Sequence, residues 1–140
     1  MYKDILNKKG NKFYAVKDQM IIMAQNELGI LFPKDLVDFY KEVGYGFLAS
    51  KEDNFNRIMG PGSVCEFRLR DGQFENYSEL DIYEDCEKDT LIFFEVCEGY
   101  YLSIGFSKSN NGMIYDGKKV ISQNLKQFLI DYQKDEKFFL

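Results

Sequence analysis

Two stretches near opposite ends of the chain share one apolar spacing, and this limits what the chain can build. Leu36, Phe39, Tyr40 and Val43 recur at i, i+3, i+4, i+7, and so do Leu125, Phe128, Leu129 and Tyr132. That spacing puts four large side chains on one stripe of a helix, and the stripe must be buried against another element. Between the two stripes lie β-branched and aromatic runs separated by turn residues: Phe47-Leu48-Ala49, Phe55–Met59, Thr90–Val96 and Tyr100–Phe106. Met113-Ile114-Tyr115 and Lys118–Ile121 flank Asp116-Gly117, a residue pair suited to a two-residue hairpin. Strands bracketed by helices predict the α+β class: a single domain whose antiparallel β-sheet is covered by an N-terminal helix pair and a C-terminal helix.

Local punctuation sets the expected boundaries. Asp18–Leu28 reads as a helix with Asp18 as N-cap, Ile21, Ala24 and Leu28 on its apolar face, and Met20 and Met23 widening that face. Gly29 stops it, Pro33 suits the first position of the next helix, and Gly44-Tyr45-Gly46 makes a tight exit. Gly60-Pro61-Gly62-Ser63 reads as a strand-to-helix turn before a short helix over Ser63–Arg70. Ser122 is the expected cap of the last helix. Phe138-Phe139-Leu140 leaves two options, docking on its own domain or an oligomer contact. The 140 residues suit one domain over 1–140, with a core spanning about 18–132.

Composition narrows the chemistry. The chain has no histidine, which excludes Ser-His-Asp and Cys-His catalysis, His-ligated zinc and His acid–base work. Cys65, Cys86 and Cys97 are odd in number and form no Cys-x-x-Cys pair, against both a disulfide framework and a zinc knuckle. No cofactor or metal is expected. The acids of Asp81–Asp89 lack the spacing of a calcium loop. A net charge of −5 argues against direct nucleic-acid binding, which wants a basic excess. No segment reads as a secretory leader or membrane span, so a cytoplasmic, monomeric domain is expected.

Three stretches together resemble the SUKH superfamily, which includes the fungal Smi/Knr cell-wall-assembly regulators and many bacterial proteins. The first is Glu27-Leu28-Gly29-Ile30-Leu31-Phe32-Pro33-Lys34-Asp35-Leu36, followed by Phe39-Tyr40 and Gly44-Tyr45-Gly46. The second is Leu91–Ile104, an apolar strand, a turn and a paired strand. The third runs from Val120-Ile121-Ser122 through Phe128-Leu129 and is similar to the family's closing helix. Gly44-Tyr45-Gly46 stands where the family has an Asn-Gly-Gly-like turn, and Glu98-Gly99-Tyr100 is poorer in Gly and Asp than the usual turn. The resemblance implies the fold and a non-enzymatic role. Its bacterial members resemble immunity proteins that bind and neutralise a cognate toxin, often a nuclease; its fungal members look like regulatory scaffolds. It implies no catalytic residues.

The acidic stretch Asp71–Asp89 is the candidate binding segment. Its eight carboxylates face a single lysine, Lys88, so nineteen residues carry net −7 in a chain of net −5. The candidate partner contacts are Phe74, Glu75, Tyr77, Glu79, Asp81, Tyr83, Glu84 and Asp85, with Tyr100 and Tyr101 from the nearby strand. Acids steer a basic partner and aromatic rings anchor it. Such a surface suits a basic toxin whose active site it would occlude. Three other readings stand beside this one: a solvated loop whose rings pack inward, a regulatory scaffold with an endogenous partner, and a small carboxylate enzyme. By strand alternation, one of Tyr100 and Tyr101 should face the core and the other solvent.

Overall fold

Seven strands follow one another in space in the order they have in the sequence, every neighbouring pair antiparallel. The computed structural model describes residues 1–140. The chain runs α1 (Tyr2–Ile5), β1 (Lys12–Tyr14), α2 (Asp18–Leu28), α3 (Lys34–Glu42), β2 (Tyr45–Leu48), β3 (Asn56–Ile58) and α4 (Pro61–Leu69). Three 3-10 turns, Gly72–Phe74, Ser78–Tyr83 and Cys86–Lys88, fill the acidic stretch. Then come β4 (Thr90–Val96), β5 (Tyr100–Gly105), β6 (Ile114–Asp116), β7 (Lys119–Ser122) and α5 (Leu125–Lys134). This is the expected α+β arrangement, and Asp116-Gly117 joins β6 to β7 as its sequence predicts.

The central pair β4–β5 organises the core. Phe94 lies opposite Leu102, and Glu95 opposite Tyr101. Successive strand residues point to opposite faces, so these two rows serve two different layers. On the first face the Phe94 ring meets Phe128 and Tyr132 of α5, at 5.2 and 5.7 Å between centroids. On the second face the Tyr101 ring meets Phe67 of α4 at 4.8 Å. Short α4 and the 3-10 turns therefore cover a face that the sequence left unassigned. The C-terminal Phe138 and Phe139 pack on Phe128, Phe139 buried and Phe138 partly so, while Leu140 stays exposed.

Two elements went unanticipated, α1 and β1, and β1 explains the glycines of Gly44-Tyr45-Gly46. Phe13 pairs with Gly46 and Tyr14 with Tyr45, so Tyr45-Gly46 is strand and not turn. A Cβ on Gly44 would sit 1.9 Å from the Tyr14 carbonyl oxygen, and one on Gly46 would sit 2.1 Å from that of Lys12. Both residues also have positive φ, 112° and 148°. Only glycine lets β1 lie this close.

Boundaries shift by a residue or two, each for a local reason. Asp18 is the first helical residue, with Lys17 at the cap. Pro33 stands at the cap of α3, and α4 starts at Pro61, a residue suited to an unpaired first turn. Ser122 ends β7 instead of capping α5; Asn124 is the cap, its side-chain oxygen accepting from the Gln127 N–H at 2.8 Å. Gly29 does stop α2, at φ 67°. Met20 and Met23 remain exposed, so they do not widen the buried face of α2. Cys97 is also exposed and is not a core residue. No helix is long and apolar enough to cross a membrane.

Candidate protein-binding surface

The acidic stretch is held to the domain by two arginines at the end of α4. Arg70 ends that helix with a left-handed backbone, φ 52°. Its guanidinium grips Glu87 with two hydrogen bonds, 2.5 and 3.1 Å, and donates to the carbonyls of Phe67 and Leu80. It also lies over the Phe67 ring, 4.7 Å from the centroid. Arg68 donates to the carbonyls of Glu87 and Thr90. An irregular segment cannot satisfy its own carbonyls as a helix does, so buried ones need side-chain donors. The forked guanidinium supplies several at once.

Beneath this clamp Phe74, Leu80 and Tyr83 point inward, while Tyr77, at the cap of the middle turn, stays out. Leu80 and Tyr83 lie three apart within one 3-10 turn, where i and i+3 eclipse. Both are buried, as is Phe74 in the preceding turn. Phe67, Phe74, Tyr83 and Tyr101 form one edge-on cluster. The Tyr83 hydroxyl accepts from the Tyr101 N–H at 3.0 Å, and burial pushes its pKa up. Phe74, Tyr83 and Tyr101 therefore fill the core as placed, which corrects their expected use as open anchors. Burying such rings is worth more to this small layer than leaving them in water.

The other candidate residues face out. Glu75, Tyr77, Glu79, Asp81, Glu84 and Asp85 are exposed, Tyr77 at 55%. None of these five carboxylates takes part in an ion pair; the arginines nearby are spent on Glu87 and on backbone carbonyls. Ile82, 77% exposed, stands three residues from Glu79 on the outward side of the same turn. The sequence reading missed it, although Leu80 and Tyr83 facing in at period three would have sent Ile82 out. Tyr100 is the outward member of the tyrosine pair, and its hydroxyl donates to Asp116 on β6. Partial burial and then that hydrogen bond push its pKa up to about 12.

Next to the stretch lies a cleft of about 430 Å³ walled by Tyr77 and Glu79 on one side and Arg57, Glu95 and Gly99 on the other. Arg57 and Glu95 face each other across β3 and β4, with Nε to Oε1 at 2.6 Å. Glu95 also accepts from the Tyr101 hydroxyl at 3.0 Å and the Gly99 N–H at 3.1 Å. With its oxygens taken, Glu95 is a structural post and not a free acid. The arrangement offers outward charge and two exposed apolar tips, Tyr77 and Ile82, on a pinned base. It suits holding a macromolecular surface.

Similarity to known proteins agrees with this architecture. The pattern of the SMI1 / KNR4 family (SUKH-1) matches residues 15–131. The chain is 40% identical over 139 residues to a Bacillus subtilis (strain 168) protein called immunity protein YxxD, covering 99% of this chain and 95% of that one. No solved structure matches it. The resemblance carried by Glu27–Leu36, Leu91–Ile104 and Val120–Leu129 thus has its answer: this chain belongs to the SMI1 / KNR4 (SUKH-1) family.

Proposed function

We propose that this protein is a non-catalytic immunity protein that binds a cognate bacterial toxin in the cytoplasm and neutralises it by covering its active site. The observation that carries the reading is the 40% identity, over nearly the whole of both chains, to a protein named as an immunity protein. The absence of histidine from the sequence leaves few groups for acid–base catalysis, which fits a binding role.

The contact surface is the outward side of 71–89. Glu75, Glu79, Asp81, Glu84 and Asp85 supply an unneutralised negative field, and Tyr77 and Tyr100 supply rings at its edges. A nuclease must present positive charge to hold phosphate. An acidic surface meets such a groove with complementary potential and speeds encounter. The partner is therefore a basic toxin domain, with a nuclease the chemistry that this surface fits, met by one copy of this chain.

The test is co-expression with candidate toxins, taken first from the genes that neighbour its own. The expected result is growth with this protein, arrest without it, and a complex that co-purifies. Equal growth in its absence overturns the immunity reading and leaves the regulatory-scaffold alternative.

A further inference from the structure

Helix α2 carries apolar side chains on two sides, and the packing uses only one. Ile21 and Ala24 are buried, while Met20, Ile22 and Met23 stay out, Met23 at 62% exposure. Helix α2 packs beside α4. Met20 and Met23, with Leu69 from α4, line a groove of about 310 Å³ between them. A Cβ on Gly62, which also lines it, would meet nothing within 4 Å, so the groove is open there. Burial and then neighbouring Glu27 push the Cys65 thiol up to about 11, so the floor is uncharged at neutral pH.

The rim is of one sign. Glu27, Glu66 and Asp71 border the groove, no lysine or arginine does, and none of the three is in an ion pair. Methionine side chains are flexible and polarisable and adapt to varied apolar surfaces. A helix laid in a groove is read through side chains at i, i+3 or i+4, and i+7. The acidic border selects for cations flanking those side chains and against carboxylates. At the small end of ligand-site volumes, about 300–1,000 Å³, the groove suits a few inserted side chains more than a whole ligand.

We infer that the α2–α4 groove receives an amphipathic helix with basic flanks from the partner protein. This rests on the reading that the chain binds a basic protein. Asp71 belongs to both the groove's rim and the acidic stretch, so one partner can cover both.

The five methionines, Met1, Met20, Met23, Met59 and Met113, are built-in reporters. The full chain labelled with methyl-13C methionine is titrated with an 18-residue designed helix of leucine on one face and lysine elsewhere, and with its glutamate counterpart. The lysine peptide is expected to shift the Met20 and Met23 signals while those of buried Met59 stay fixed. Met23→Gln, an uncharged change at an exposed position that leaves the fold intact, is expected to weaken that binding about tenfold, the scale of a hot-spot loss. No shift at Met20 and Met23, or equal binding of the glutamate peptide, overturns the inference. The co-expression assay separates the two proposals. If the wild-type chain protects and Met23→Gln protects equally, the groove is refuted and the immunity reading stands. If the lysine peptide fills the groove but the wild-type chain protects no cell, the immunity reading falls and the groove stands.

Discussion

The two faces of β4–β5 are covered by different means. On one, α5 lays Phe128 and Tyr132 against Phe94, ring on ring, from a helix that satisfies its own backbone. On the other, Phe67, Phe74 and Tyr83 close over Tyr101, carried by short α4 and by 3-10 turns. The first cover has a buried polar tie in Asn56 Nδ2, which donates to the Tyr132 hydroxyl; the second leans on more fasteners, most of them charged: Arg70 on Glu87, Arg68 on two carbonyls, and Arg57 with Tyr101 on Glu95. A regular helix can present a purely apolar face because its N–H and C=O groups are already paired. An irregular cover must bring donors from elsewhere, and its outer surface is released from helical patterning. That release is what lets 71–89 collect acids without losing its place.

The difference is tested hardest by Phe128→Ala. Phe128 is fully buried and its ring contacts Phe93, Phe94, Tyr132, Phe138 and Phe139. Its removal is expected to cost about 3–5 kcal/mol by lost burial and a residual cavity, read as a lower urea midpoint for the whole domain. Arg70→Ala should do something different in kind. It frees Glu87 and strips donors from Leu80 and Phe67, at about 2 kcal/mol after allowing for partial exposure. Hydrogen exchange should quicken within 71–89 while α5 keeps its protection. Equal quickening in α5 would show that the two covers open together.

A smaller effect is expected from Tyr100, whose hydroxyl ties β5 to Asp116 beside the acidic stretch. Its folded pKa, raised by burial and by that hydrogen bond to about 12, lies above the ordinary tyrosine value near 10. The unfolded chain then ionises first as pH rises. The Tyr100 contribution to stability is complete below pH 10 and is lost as pH climbs through about 12. Tyr100→Phe should flatten that part of the alkaline stability curve and leave the curve near neutral pH with little slope change. An unaltered alkaline limb would show that the tie carries no free energy.

The first cover was legible in the sequence and the second only in outline. Leu125, Phe128, Leu129 and Tyr132 repeat over a ten-residue helix, long enough for the 3.6 period to declare itself. The hairpin at Asp116-Gly117 was equally plain, because that turn demands those residues. By contrast, β1 is three residues with exposed outer members, too short for any period. Its trace lay in Gly44 and Gly46, whose need for glycine makes sense only once Tyr14 and Lys12 are seen beside them. In the acidic stretch, composition located the segment, but the direction of each ring depends on 3-10 turns that a short charged run does not announce. Arg70 offered no signal at all, since its role comes from meeting Glu87 seventeen residues later.

Charge reversal on the outward side separates stability from binding most sharply. Glu79, Asp81, Glu84 and Asp85 are exposed and unpaired. Changing all four to lysine should move stability by no more than about 0.5 kcal/mol per site, as for surface positions free of special contacts. Relief of repulsion among the acids is opposed by the lost attraction of Asp81 and Glu84 for Arg70, which keeps the net change small. Association with a basic toxin should slow by about tenfold or more at low salt, with the gap closing as salt screens the field. Dissociation should change less, because rim charges act chiefly on encounter. Stopped-flow binding at two ionic strengths reads both rates. Unchanged association with an intact fold would move the contact off 71–89 and leave that segment as a cover for Tyr101 alone.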